Sequence, residues 1–231
     1  MAGRPVLVTR AEPGASETCA RLAARGFEPV NAATARIAFR TQTIDLAGVT
    51  ALAVTSRNGV AALAQMTEIR ALPVFAVGDA TAQAARAAGF ADVRSAAGDV
   101  AALVELIVAA APAGAVLHGR GADQAGDLVG ALTARGVSAR AQILYAAEPV
   151  TGLPASAWQA LQAGARVLIH SPKGASRLVG LARAAGMEAV LATASVVAIS
   201  EAAAAPLRAL GVTDITLAAR SDGVALLDAL V

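Results

Sequence analysis

The most constraining feature of this 231-residue chain is an internal repeat built from two different segments. The segment VLVTR at 6–10 returns as VLHGR at 116–120, and VTSRNGVAAL at 54–63 returns as IHSPKGASRL at 169–178. We name the four parts A, B, A′ and B′ in chain order. Duplicated α/β halves of roughly 100 residues predict two similar domains, and a cleft between domains is a common place for a small-molecule site.

Composition places the chain among folded globular proteins. Hydrophobic residues make up 56% and charged residues 16%, whereas disordered chains are poor in apolar residues and rich in charge. The longest apolar stretch, 101–117, is interrupted by Glu105 and Pro112 and falls short of a membrane span. The amino-terminal residues lack the layout of a signal peptide, and the single cysteine, Cys19, excludes an internal disulfide framework. We therefore expect a cytoplasmic protein that has no membrane partner.

Three further classes of function find no support in the sequence. The net charge is +2 and aromatic residues make up 3%, so the basic stripe with stacking rings of a nucleic-acid surface is missing. The segment HGRGADQAG at 118–126 resembles a dinucleotide fingerprint, but Gln124 occupies the third glycine position. His118 and His170 have no cysteine or carboxylate cluster around them that would make a metal site. We expect no nucleic-acid partner, no cofactor and no metal.

Short apolar runs alternate with helical stretches along the chain, which is typical of a βα pattern. The runs are rich in Val, Ile and Leu with little alternation, as in parallel strands that are buried on both faces. Strands are predicted at 5–9, 27–32, 50–55, 73–77, 91–95, 115–118, 137–141, 166–170, 189–192, 196–199 and 214–218. Helices are predicted at 14–25, 57–67, 79–88, 99–110, 122–135, 155–164, 173–185, 201–210 and 222–230.

Two extended stretches, 34–45 and 141–152, interrupt this pattern and follow the two A-type parts. We interpret them as a pair of strands that cross between two domains, so that A combines with B′ and B with A′. The predicted bounds are 1–36 with 150–231 for domain 1, 43–142 for domain 2, and about 37–42 and 143–149 for the linker strands. The alternative, two sequential halves, would leave both linker strands without a role.

Candidate site residues lie at the carboxyl ends of the predicted strands, where ligands bind in open parallel sheets. Hydroxyls and glycines at helix starts suit anion binding by free backbone N–H groups. A cation follows five of the predicted strands, namely Arg10, Arg57, Arg120, Lys173 and Arg220. Together these residues indicate an anionic ligand with several carboxylates or phosphates. For any one position, an ordinary helix cap or a surface arginine remains the alternative.

Tyr145 is the single tyrosine and lies in the second extended stretch, in LYAAEP at 144–149. A phenol there would face the cleft if the linker crosses its floor, and it could donate a proton near neutral pH. The alternative is an amphipathic ring packed on a strand. Trp158, on the helical stretch 155–164, is predicted to anchor that helix, and Cys19 is predicted to be inert.

The chain resembles the uroporphyrinogen-III synthase family over its full length. The resemblance rests on VLVTRAEPGA at 6–15, AVTSRNGV at 53–60, FAVGDATAQAARAAGF at 75–90, the LYAAEP segment and IHSPKGA at 169–175. It implies an α/β fold of two similar parallel-sheet, three-layer domains, flavodoxin- or Rossmann-like without a dinucleotide motif. A two-stranded β linker would join them, with the first domain discontinuous.

The resemblance also implies a reaction. The family acts on the linear tetrapyrrole hydroxymethylbilane, removes its terminal hydroxyl as water, and closes the ring with inversion of the last pyrrole through a spiro intermediate. Such a cyclising hydro-lyase serves tetrapyrrole and haem biosynthesis without a cofactor. Because the open chain also cyclises spontaneously without inversion, the protein's task is largely to hold the substrate in the productive geometry. We expect a monomer that makes transient contact with the preceding pathway enzyme.

Tyr145 falls at the family's tyrosine, although Pro149 follows it one residue sooner, and is predicted as the catalytic group that helps the hydroxyl leave. The predicted substrate-binding residues are Arg10, Thr55, Ser56, Arg57, Gly78, Thr81, Arg120, Ser171, Lys173 and Ser200. The second copy of the G-x-x-T motif departs from the family, because Ala203 replaces the threonine and leaves Ser200 as a substitute. Domain 2 is therefore expected to hold the substrate more firmly.

A second function remains open at this point. The missing threonine at Ala203 is compatible with a non-catalytic two-domain sensor or binding protein for a polycarboxylate ligand. Tight binding without turnover would distinguish this protein from the synthase.

Overall fold

The computed structural model describes residues 5–123 and 126–231. The chain divides into two compact units, one made of Met1–Ile37 with Glu148–Val231 and the other of Ala38–Ala147. Each unit contains one sheet with helices around it, so the predicted α/β class is confirmed. Within the described ranges, no helix combines the length and the apolar character that crossing a membrane requires.

The elements alternate between strands and helices along most of the chain. The strands are β1 (Pro5–Val8), β2 (Glu28–Asn31), β3 (Ala35–Phe39), β4 (Val49–Val54), β5 (Val74–Ala76), β6 (Val93–Ser95), β7 (Ala115–Gly121), β8 (Ala139–Pro149), β9 (Arg166–Ile169), β10 (Val196–Ala198) and β11 (Ile215–Leu217). The helices are α1 (Gly14–Ala23), α2 (Arg57–Met66), α3 (Asp79–Ala87), α4 (Val100–Ala110), α5 (Leu128–Ala134), α6 (Ala155–Gln162), α7 (Pro172–Ala184), α8 (Glu188–Ala192), α9 (Glu201–Leu210) and α10 (Gly223–Asp228).

The sheet of the first unit has the order β11-β10-β9-β1-β2, with parallel pairing throughout. It joins β1 and β2 from part A with three strands from part B′. Val6 and Val8 point to one face and Leu7 to the other, and all three are fully buried because helices cover both faces. The result is a three-layer unit.

The sheet of the second unit has the order β3-β8-β7-β4-β5-β6, and the strand pairs β8-β7, β7-β4, β4-β5 and β5-β6 are parallel. Leu52 and Val54 pack on one face of β4, and Ala51 and Ala53 pack on the other. The pairing of β7 with β8 shifts its register between Arg120 and Gly121, so β7 continues to Gly121 beside Tyr145. This extension of β7 brings Gly121 against the ring of Tyr145.

The structure corrects three of the predicted elements. Residues 189–192 form part of helix α8 and not a strand, and Leu191 packs against the core from that helix. The apolar run is too short for its periodicity to distinguish a helix from a strand. Strand β7 runs beyond the predicted 115–118, so Arg120 lies inside the strand and not after it. Helix α5 begins at Leu128 behind its cap Asp127, later than the predicted 122–135, of which residues 124–125 lie outside the described residues.

Candidate functional site

A pocket opens at the carboxyl end of the sheet in the second unit and has a volume of ≈ 320 Å³. Thr55 and Ser56 reach it from the end of β4, and Val77 from the end of β5. It is completed by Asp99, Val100, Arg120, Gly121, Asp123 and Tyr145. This is the edge at which parallel sheets bind ligands, because helix N-termini and variable loops meet there. Of the residues predicted from the sequence, the pocket brings together Thr55, Ser56, Arg120 and Tyr145.

The hydroxyl of Ser56 lies 2.7 Å from the phenol oxygen of Tyr145, which is a hydrogen bond between two predicted site residues. Ser56 is also the N-cap of α2, where its Oγ accepts a hydrogen bond of 3.0 Å from the backbone N–H of Gly59. The cap fixes the Ser56 rotamer, since the side chain must turn back toward the first turn of the helix. The position of the phenol oxygen is therefore tied to the N-terminus of α2.

The ring of Tyr145 is held from the other side by strand β7. Gly121 pairs with Tyr145 across the two strands, and the backbone N–H of Ala122 donates to the Tyr145 carbonyl at 2.9 Å. A Cβ atom on Gly121 would lie 2.9 Å from the ring carbons Cε2 and Cζ of Tyr145. Glycine at 121 thus provides the space that the half-buried ring occupies.

His118 lies on β7 and contacts Thr55, which lines the pocket. It is 1% exposed, and its Nε2 lies 3.4 Å from Oγ1 of Thr55. Burial, followed by the nearby Arg120 cation, lowers the pKa of His118 to about 4, although Asp127 opposes the shift. The imidazole is therefore neutral at physiological pH and supports Thr55 without adding charge.

Arg120 supplies a cation to the pocket, and its Nη1 donates to the carbonyl of Gly121 at 3.1 Å. Two carboxylates share the same lining. Asp99 caps α4 through a 3.0 Å hydrogen bond from the N–H of Ala102, and Asp123 follows the end of β7. The pocket therefore combines a phenol and two hydroxyls with charges of both signs.

The other predicted residues of this unit lie near the same sheet edge without lining the pocket. Gly78 is the N-cap of α3, and Thr81 lies in the first turn of that helix with 7% of its surface exposed. Arg57 is the exposed first residue of α2. These three residues lie close in the chain to residues that line the pocket, at the starts of α2 and α3.

Four predicted residues lie in the first unit, again at the carboxyl ends of strands. Ser171 caps α7 by accepting from Gly174 at 3.0 Å, and Ser200 caps α9 by accepting from Ala203 at 3.3 Å. Lys173 is exposed in the first turn of α7. Arg10 follows β1 and, after burial itself, is the second cause that lowers the pKa of His170 to about 4. The two units thus carry equivalent capped helix starts.

Sequence reasoning missed the two carboxylates and the role of His118. Asp99 follows the predicted strand 91–95, so applying the strand-end rule to that strand would have found it. The contact between Thr55 and His118 depends on the register that pairs Ala53 with His118, which no motif encodes. Across the described part of the chain, no three His, Cys, Asp or Glu side chains cluster in a way that could hold a metal ion.

The chain is an α/β protein of two units, and the second unit carries a phenol-bearing pocket at the carboxyl edge of its sheet. The family model for uroporphyrinogen-III synthase HemD matches residues 16–228, and the chain belongs to this family. Its function is that of a uroporphyrinogen-III synthase, a cyclising lyase of tetrapyrrole biosynthesis, and the non-catalytic sensor is not favoured.

Two solved structures of uroporphyrinogen-III synthases are similar to this chain, and the first of them shows the same fold. A uroporphyrinogen-III synthetase from Helicobacter pylori 26695 is 16% identical, with 98% of this chain and 97% of that chain covered and a TM-score of 0.64. A mutant uroporphyrinogen III synthase from the extremely thermophilic bacterium Thermus thermophilus is 17% identical, with 99% of this chain and 96% of that chain covered and a TM-score of 0.48. A comparison with curated protein sequences gives no match.

Proposed function

We propose that Tyr145 is the catalytic group with which this uroporphyrinogen-III synthase removes the terminal hydroxyl of hydroxymethylbilane. The observation that carries the proposal is the 2.7 Å hydrogen bond between Ser56 and Tyr145, which fixes a phenol oxygen at the wall of a pocket. A positioned phenol can donate its O–H proton to a reacting group, as a general acid does. The pocket lies where substrates bind in parallel sheets.

The proposed step conserves atoms and charge. The phenol O–H of Tyr145 gives its proton to the terminal hydroxyl, the C–O bond breaks with its electron pair on oxygen, and water leaves. The pyrrole that loses the hydroxyl becomes a cation, which the last ring attacks to form the spiro intermediate. Rearrangement and ring closure then release one proton, which restores the phenol.

Geometry rather than acid strength selects the inverted product. Hydroxymethylbilane cyclises without inversion when it is free, so the enzyme must hold its acetate and propionate carboxylates while the reacting carbons meet. We assign this task to Thr55, Gly78 and Thr81, with the cations Arg57 and Arg120, in the second unit. The set from the first unit is Arg10, Ser171, Lys173 and Ser200. Backbone N–H groups at capped helix starts and guanidinium groups are suitable partners for carboxylates.

The proposal extends to the domain bounds, the oligomeric state, the location and the partner of the enzyme. We assign the domains to 1–36 with 150–231 and to 43–142, linked by strands at about 37–42 and 143–149. We expect a monomer in the cytoplasm that takes its unstable substrate through transient contact with the preceding pathway enzyme. Gel filtration of the purified protein tests the monomer directly.

The experiment supplies hydroxymethylbilane enzymatically, oxidises the products to porphyrins and separates the two isomers. The protein should yield the inverted isomer, and only the non-inverted isomer above background would overturn the activity. Tyr145→Phe should lower kcat by roughly 10²-fold, the lower range for loss of a general acid. Thr133→Ala removes a hydroxyl on the surface of α5, where Oγ1 donates to the Val129 carbonyl, and should leave kcat unchanged. Full activity of Tyr145→Phe would remove Tyr145 from the mechanism.

A further inference from the structure

We propose that Ser56 acts on Tyr145 and not on the substrate, as a positioning residue that connects the phenol to the N-terminus of α2. The inference rests on the proposed function, since it concerns the same proton transfer. It replaces the substrate-binding role that the sequence predicts for Ser56. The number of hydrogen bonds that one hydroxyl can make, and the direction of each, decide between the two roles.

The serine hydroxyl has one hydrogen to donate and two lone pairs that accept. One lone pair already accepts from the backbone N–H of Gly59 at 3.0 Å. The second short contact, 2.7 Å to the phenol oxygen of Tyr145, uses either the serine hydrogen or the remaining lone pair. Each choice permits a different role for the two residues.

The direction of the Ser56–Tyr145 hydrogen bond follows from the chemistry. If the Tyr145 O–H is to protonate the leaving hydroxyl, its hydrogen must point to the substrate, and Ser56 must then be the donor. If the hydrogen bond runs in the opposite direction, Tyr145 donates its one O–H hydrogen to Ser56 and cannot donate it to the leaving group. Ser56 has one hydrogen and cannot donate it to a substrate carboxylate and to Tyr145 at once, so the predicted carboxylate-binding role and the positioning role of Ser56 exclude each other.

The donating arrangement also stabilises the charge that develops. As the phenol loses its proton, the oxygen becomes a phenolate and the bond from Ser56 becomes charge-assisted, which strengthens it. The N–H of Gly59 polarises the Ser56 hydroxyl in the same sense, and the N-terminus of α2 adds partial positive charge. The chain Gly59 N–H, Ser56 O–H and Tyr145 oxygen therefore becomes stronger in the transition state than in the ground state, which is what accelerates a chemical step.

The helix that carries this chain of hydrogen bonds is firmly seated. A Cβ atom on Gly59 would lie 2.9 Å from the carbonyl oxygen of Gly119, so the first turn of α2 packs directly on the backbone of β7. The same strand carries Gly121 under the Tyr145 ring. The helix that carries Ser56 and the ring of Tyr145 thus both pack against β7, which limits how far the two side-chain oxygens can separate.

The test is a double-mutant cycle on the full enzyme, measured as kcat and KM with enzymatically generated hydroxymethylbilane. Ser56→Ala and Ser56→Gly should each lower kcat roughly 10-fold, as for loss of one hydrogen bond, with KM nearly unchanged. Glycine caps a helix almost as well as serine, so Ser56→Gly removes the hydroxyl without much loss of the cap. Ser56→Thr keeps the hydroxyl and should restore most of kcat.

The decisive comparison is made in the Tyr145→Phe background, where Ser56→Gly should have no further effect on kcat. Asp127→Ala removes the N-cap of α5 in the same unit, where Asp127 accepts from Gly130 at 3.0 Å, and controls for loss of a cap. An equal loss on Ser56→Gly with and without the phenol, or a rise in KM at constant kcat, would overturn the inference alone. Full activity of Tyr145→Phe would overturn the proposed function of Tyr145 and this inference with it.

Discussion

Gly121 and Tyr145 are partners on adjacent strands, and the missing side chain of the glycine is the space in which the tyrosine ring lies. A Cβ atom at position 121 would stand 2.9 Å from two ring carbons and 3.1 Å from the phenol oxygen. Real Cβ contacts are almost never below 3.0 Å, and the ring is fixed at its oxygen by Ser56. The residue at 121 therefore sets where the proposed catalytic oxygen lies.

Gly121→Ala should displace the Tyr145 ring and lower kcat while the protein remains folded. Misplacement of a reacting group by about 1 Å can cost on the order of 10²-fold, and a shift of a few tenths of an ångström should cost about 10-fold. Gly152→Ala is the matched control, because a Cβ there meets no atom within 4 Å. Steady-state kinetics of both variants and the structure of Gly121→Ala give the answer. A wild-type kcat with the ring displaced would show that the phenol position does not matter.

The sequence was sufficient for the fold class because of the chemistry of its strands. In β1, Val6, Leu7 and Val8 are apolar without alternation, which predicts burial on both faces, and both faces are covered. The same reasoning failed at 189–192, where an apolar run of strand length is helical. Short runs of this kind fit either structure, and only the packing of Leu191 decides between them.

The site was less accessible to sequence reasoning than the fold. Strand ends predicted which side chains reach the pocket edge, including Thr55 and Ser56. The hydrogen bond between Ser56 and Tyr145 could not be predicted, because the two residues are far apart in the chain and meet only when β8 is placed in the sheet beside β7 and β4. The pairing register of two strands depends on how both strands pack in the sheet, so it cannot be read from the sequence of either strand alone.

Two helical glycines should respond in opposite directions to alanine. Gly180 lies inside α7 with nothing within 4 Å of its missing Cβ, so Gly180→Ala should raise the free energy of unfolding by about 0.5–1 kcal/mol. Gly130 lies in α5, where a Cβ would overlap the carboxylate of the cap Asp127. Gly130→Ala should therefore lower the free energy of unfolding, despite the same gain in helix propensity. Urea unfolding followed by circular dichroism measures both, and equal shifts would contradict the packing argument.

Arg70 joins the C-terminal ends of α2 and α3. Its Nη2 donates to the Ala64 carbonyl at 2.9 Å and its Nε to the Ala88 carbonyl at 3.0 Å, and Nη1 donates to the Thr67 carbonyl. The guanidinium also lies 4.9 Å from the centroid of the Phe90 ring. These carbonyls belong to helix ends, which carry partial negative charge.

Arg70→Lys should lower the free energy of unfolding by about 1–3 kcal/mol, because one ammonium group cannot replace a planar fork that reaches several carbonyls. Arg94→Lys is the control, since Arg94 is exposed and pairs with Asp92 at 2.8 Å on the surface. Exposed ion pairs contribute little, so the Arg94 variant should be close to wild type. Similar losses for the two variants would show that the fork of Arg70 is not what stabilises the helix ends.

The two histidines should make the protein less stable in mild acid. The pKa values of His118 and His170 are lowered to about 4, mainly by burial, with Arg120 and Arg10 as the next causes. Between pH 6.5 and about 4 the unfolded chain binds protons that the folded chain excludes, so stability falls as pH falls through this range. The stabilisation is fully present above about pH 6.5, and for the buried His118 it amounts to roughly 3 kcal/mol at most.

His118→Gln removes one titrating group while keeping a polar atom near Thr55, whose Oγ1 lies 3.4 Å from Nε2 of the histidine. Urea unfolding of wild type between pH 4.5 and 6.5 should show a slope that approaches the uptake of two protons, and the variant should lose about half of it. His170→Gln should remove the other half, since Arg10 and burial act on that residue separately. If the slope of unfolding free energy against pH is the same in wild type and in both variants, groups other than the two histidines take up these protons. The burial of the two imidazoles would then not be the cause of the pH dependence.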